Sequence, residues 1–122
     1  MPAGELSARQ QAEIDRAMRR AETTCRFEFS VFVGHAQGPS RDYARRLHAA
    51  LTSPARSVLV MVDPAARVLE IVTGAEVRHA LDDDAVGLAA SGMQSAFAEG
   101  DLVGGLTDGI GRLADAASRS RA

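Results

Sequence analysis

A chain of 122 residues, 46% hydrophobic and 25% charged, suits one compact domain with one core. Its formal charge of -2 argues against broad nucleic-acid backbone binding, which draws on a basic face. A lone cysteine, Cys25, excludes an intrachain disulfide, and the longest aliphatic run, Val58 to Val62, is far too short to span a bilayer.

The opening MPAGELSARQQ lacks the apolar stretch of a signal peptide, so the expected location is the cytoplasm. Ser7 with Gln10 three residues on forms a capping box that starts the first helix. Ile14, Ala17, Met18 and Ala21 recur at helical spacing as its buried stripe, with Arg9, Arg16, Arg19 and Arg20 mostly outside it. Thr23 and Thr24 break the pattern and put Cys25 at a strand entrance. In RFEFSVFVG, Phe27, Phe29, Val31 and Val33 share one parity and line one face of a strand that Gly34 stops.

Ser40 is the expected cap of a second helix, whose inner stripe is Tyr43, Ala44, Leu47, His48 and Leu51. SVLVMVD reads as a central strand buried on both faces. Asp63-Pro64-Ala65-Ala66 is a tight turn into a third strand, Arg67 to Thr73, which pairs antiparallel with the second. The helix between strands one and two makes a βαβ unit and a parallel pair. A short helix follows over residues 75–81. A longer one, capped by Asp82 or Asp83, runs to about Glu99, with Gly100 at its end. Asp101 opens the last helix, striped by Val103, Leu106, Ile110, Leu113 and Ala117. Its glycines, Gly104, Gly105, Gly109 and Gly111, each cost about 1 kcal/mol relative to alanine. Their spacing predicts close approach of another backbone, with Gly104 and Gly111 on the contact side and Gly109 close to it; the preceding helix, the sheet or a second copy of the chain would fit there.

The fold class is therefore α/β, a three-layer α/β/α sandwich. A parallel βαβ pair plus an antiparallel hairpin strand form a small mixed sheet with helices on both faces. One domain spans residues 1–122, with its core over about 7–117.

The order of these pieces carries a resemblance. FEFSVFVG, DYARRLHAAL, SVLVMVDPAARVLEIVTG and FAEGDLVGGLTDGIGRLAD, in that order, resemble the TPM domain superfamily, and within it a compact actinobacterial group of unknown function. The resemblance implies the same sandwich. It also implies two activities found among such relatives, acid phosphatase and calcium binding. The chain is expected to depart from those relatives in lacking a leader or anchor, and it has Glu5 alone where an acidic pair often precedes the first helix.

Ligand sites in open α/β sheets favour the carboxyl ends of parallel strands. Strand one ends at Gly34-His35 and strand two at Asp63. The first helix starts at that edge, and the long helix returns Gly100-Asp101 to it. Glu5, Asp63 and Asp101 are thus the candidate metal ligands, for a hard cation such as Ca2+, with His35, Ser40 and Arg41 nearby. Asp63 and Asp101 equally fit as a turn residue and a helix cap. No H-E-x-x-H, G-x-S-x-G, P-loop or C-x-x-C is present, and the glycine-rich segment is not followed by Gly-Lys-Ser/Thr. The expected function is a non-catalytic binding or interaction module, through protein or small-ligand contacts, with a homodimer through the glycine-rich helix as one form of partner. The alternative is a metal-assisted, acid-phosphatase-like hydrolase.

Overall fold

Ser7 starts the first helix as predicted. Its hydroxyl accepts the Gln10 N–H at 3.1 Å while the Gln10 side chain accepts the Ser7 N–H at 2.9 Å. The computed structural model describes residues 6–121, with side chains described over 6–119. Helix α1, Ala8–Cys25, buries Ile14, Ala17 and Ala21. The break expected at Thr23 and Thr24 does not occur. Their hydroxyls donate to the carbonyls of Arg19 and Arg20, both at 3.0 Å, and the helix runs on. Cys25 is its buried last residue, not a strand entrance.

The sheet has the expected mixed topology, in the order β1 (Glu28–Val33), β2 (Ser57–Asp63), β3 (Val68–Thr73). β1 lies parallel to β2, with Glu28 opposite Ser57 and Val33 opposite Val62. β3 is antiparallel to β2, with Asp63 opposite Val68 and Val58 opposite Thr73. All seven residues of β2 are buried, as an unbroken aliphatic strand requires. Its two parities feed two cores. Leu59 and Met61 pack with Ala44 and Val72 under helix α2, Ser40–Ala49. Val58, Val60 and Val62 pack with residues of α1, α3 (Asp83–Ala98) and α4 (Leu102–Arg121) on the opposite face. Helix α4 lies against both α1 and α3. The three-layer sandwich is complete.

Two local expectations change. Ser40 does not cap α2: Pro39 occupies the cap, and Ser40 is the first helical residue with its hydroxyl turned to Glu70. A cap hydroxyl accepts from a backbone N–H, whereas this one donates to a carboxylate in a charge-assisted bond. The short helix expected over 75–81 is a single 3₁₀ turn, Val77–His79. The corner from α3 to α4 follows its sequence signals. Asp82 accepts the Ala85 N–H at 2.9 Å, Gly100 turns with φ +85°, and Asp101 accepts the Gly104 N–H at 2.9 Å.

The glycines of α4 divide by role. A Cβ on Gly105 would lie 2.7 Å from the Phe97 ring and 2.9 Å from the Ala96 methyl, and one on Gly109 would run into Met93. These two, one turn apart, let α4 close on α3. Gly104 instead leaves room for the Asp101 carboxylate, and a Cβ on Gly111 would meet nothing within 4 Å. Gly109 is on the contact side as expected, but its companion there is Gly105 in place of Gly104 and Gly111. The spacing revealed the purpose, while the α3 residues they meet decide the face.

Candidate functional site

Asp63 is the last residue of β2 and is 5% exposed. Burial would penalise its charge without partners. The partners come from the loops on either side. Oδ2 accepts the Ala36 N–H at 3.0 Å, from the segment between β1 and α2. Oδ1 accepts the Ala66 N–H at 3.2 Å, inside the β2–β3 turn, and the exposed His35 places Nδ1 3.5 Å from the same oxygen. The Ala36 N–H holds the Asp63 carboxyl below its ordinary value of 3.8. Burial opposes that effect, and the Ala66 N–H and His35 reinforce it. Arg67 completes the turn in the left-handed region, φ +57°, with its N–H donating to the Pro64 carbonyl at 3.2 Å.

Beside this turn lies a cavity of about 580 Å³, within the size range of small-molecule sites. Asp63, Pro64 and Leu69 line it from the sheet, and Phe97, Gly100 and Leu102 from the α3–α4 corner. Most of the lining is apolar side chain; Asp63, Arg67 and Gln94 supply polar groups. Asp63 and Gly100 thus border one space. Asp101, the next residue, is exposed and engaged through Oδ1 as the α4 cap. Glu5 lies outside the described residues. Its neighbour Leu6 shares a cleft with Val31 and Val33 near the end of β1. Among the described residues, no three His, Cys, Asp or Glu side chains come together as a metal site.

Ser40 and Arg41 are engaged by β3. Its hydroxyl donates to Glu70 Oε2 at 2.8 Å, and Arg41 donates to the Ile71 carbonyl at 2.9 Å and lies 3.5 Å from Glu70 Oε1. The Ser40 hydroxyl proton is therefore committed to Glu70. Glu70 escaped the sequence reading. The signal available was parity: it stands between Val68 and Val72 on the strand face that packs under α2, where an apolar residue is the norm.

Residues 4–114 match the family described as Domain of unknown function (DUF5130). The chain belongs to that family. Two curated relatives in Mycobacterium tuberculosis are the uncharacterized proteins MT2543, of strain CDC 1551, and Rv2468c, of strain H37Rv. Each is 29% identical to this DUF5130 chain over 97 residues. The match covers 80% of this chain and 58% of each relative, so the chain spans little more than half their length. These mycobacterial relatives agree with an actinobacterial group of unknown function. The NMR structure of BA42 protein from the psychrophilic bacterium Bizionia argentinensis superposes with a TM-score of 0.82. It does so at 21% identity, over 94% of this chain and 83% of that one, and supports the fold. No helix among the described residues is long and apolar enough to cross a membrane.

Proposed function

We propose that this DUF5130 domain is a non-catalytic binding module whose working surface is the cavity between the β2–β3 turn and the α3–α4 corner. The observation that carries this reading is the cavity itself: about 580 Å³, walled by Val62, Leu69, Phe97 and Leu102, with Asp63, Arg67 and Gln94 among its lining. Such a space suits an apolar group with one polar end. The site lies at the carboxyl ends of parallel strands, where open α/β sheets favour ligands. The resemblance to the TPM domain superfamily, some of whose members bind calcium, fits a binding role.

A weak divalent-cation site belongs to this proposal, with Glu5, Asp63 and Asp101 as oxygen donors and Ca2+ as the cation. Its support is that Asp63 and the Gly100-Asp101 corner flank one cavity. Asp63 Oδ2 keeps a second lone pair while Oδ1 faces both the Ala66 N–H and His35, so an ion would have to share these oxygens with the groups that already hold them. Such sharing makes the site weak.

The test is a titration of the full chain with 8-anilinonaphthalene-1-sulfonate, an apolar probe with one charged end, followed by amide NMR. Saturable shifts grouped at Leu69, Phe97 and Leu102 support the reading, and shifts scattered over the surface refute it. Calcium chloride is the second arm; an unchanged spectrum at about 10 mM, far above any useful affinity, removes the cation site alone. Release of phosphate from p-nitrophenyl phosphate by the wild type, lost in Asp63→Asn, would replace the binding module with the hydrolase.

A further inference from the structure

The opposite pole of the sheet, where β2 begins and β3 ends, holds a second cleft of about 340 Å³ that shares no residue with the cavity beside Asp63. Three basic side chains line it, Arg45 and His48 from α2 and Arg78 from the 3₁₀ turn, and no Asp or Glu does. On a chain of net charge -2 this is a local reversal of sign. Among the described residues, no carboxylate pairs with Arg45 or Arg78, whereas Arg41 and Arg112 each have one. The nearest acids in sequence, Asp42 and Glu76, are exposed and outside the lining.

The floor of the cleft is fixed. His48 is 9% exposed, and its Nε2 lies 3.0 Å from the Ser57 carbonyl, so that nitrogen carries the hydrogen and donates. Gly74 donates to the same carbonyl at 2.9 Å and packs so tightly on the Pro54 and Ala55 carbonyls that no side chain fits there. Carbonyls at this pole would repel an anion, but they are already engaged. Pro54 accepts from Ser57, Ala55 from Glu76, and Thr73 from the Arg78 guanidinium. The last carbonyls of α2 are closed in the same way by Ala50 and Leu51.

We infer that this cleft is an anion site for a small multivalent oxyanion, of the phosphate or polycarboxylate class, clasped between the Arg45 and Arg78 guanidiniums over the Gly74 backbone. Planar guanidinium forks match the geometry of both classes, and the bonds they form are charge-assisted.

The test is amide NMR of the full chain at constant ionic strength, with inorganic phosphate in one arm and citrate in the other. Shifts at Thr73, Gly74 and Ala75 that saturate below about 10 mM support the site, and the tighter arm names the class. Arg45→Gln removes one fork from an exposed position with no hydrogen bond to lose, so the fold is kept; affinity should fall about tenfold. Arg45→Gln with Arg78→Gln should abolish saturation. Shifts that stay linear in both arms, or an unchanged affinity in Arg45→Gln, overturn the inference.

Discussion

Asp63 Oδ2 accepts the Ala36 N–H at 3.0 Å across 27 positions of sequence, and through that bond the turn after β2 holds the loop after β1. Two loops at the carboxyl ends of neighbouring parallel strands are thereby tied to one buried carboxylate. Asp63→Ala would leave the Ala36 and Ala66 N–H groups without their acceptor, at a cost of about 1–3 kcal/mol. Asp63→Asn keeps one acceptor oxygen and should cost less. Urea unfolding of the two variants checks both the size and the order; equal stabilities would show that the bonds to the loops contribute nothing net.

The same carboxylate gives the fold an acid sensitivity. Its folded-state value lies below the ordinary 3.8, so the stabilisation is fully present above that value and is lost as pH falls through the lower, folded one. The difference in stability between wild type and Asp63→Asn should be flat near neutrality and shrink below about pH 4. Unfolding free energies at a series of pH values read this directly. A difference that stays constant into the acid range would mean that Asp63 titrates alike in both states.

Helix α4 makes a graded prediction at three glycines. Alanine at any of them gains up to about 1 kcal/mol of helix propensity. Gly105→Ala drives a methyl into the Phe97 ring and the Ala96 methyl, and overpacking of about 1–3 kcal/mol should dominate. At Gly109 the obstacle is Met93, an unbranched side chain that can re-pack, so the penalty should be smaller. Gly111→Ala meets open space and should stabilise. Melting temperatures in the order Gly111→Ala, wild type, Gly109→Ala, Gly105→Ala would establish the α3–α4 contact.

What the sequence disclosed, it disclosed where the cause was local. The Ser7–Gln10 box, the aliphatic run of β2, and the Gly100-Asp101 corner are complete within a few residues, and the structure carries each of them. Ser40 reads as a cap by the same local logic, yet its acceptor is Glu70, 30 positions away, which no local pattern contains. Thr23 and Thr24 look like breakers until their hydroxyls are seen to bond one turn back. For the candidate site, topology alone indicated that Asp63 and the α3–α4 corner share an edge. The apolar walls between them, Leu69 and Phe97, read only as core stripe, because a cavity is what packing leaves over and has no periodicity.

Glu70 offers the last test, of a carboxylate set into an otherwise apolar strand face. Its side chain is 19% exposed and receives the Ser40 hydroxyl at 2.8 Å, with the Arg41 guanidinium 3.5 Å away. Removing the acceptor in Glu70→Ala should cost about 1–3 kcal/mol, since the hydroxyl and guanidinium lose a charged partner. Ser40→Ala removes the donor but leaves Arg41 in place, and should cost about 1 kcal/mol. If the bond fastens the first turn of α2 to β3, the double variant will be less destabilised than the two single losses added together, by about 0.5–3 kcal/mol. A double-mutant cycle in urea measures that coupling. Strict additivity would mean that Glu70 acts through Arg41 alone, with the Ser40 hydroxyl a bystander.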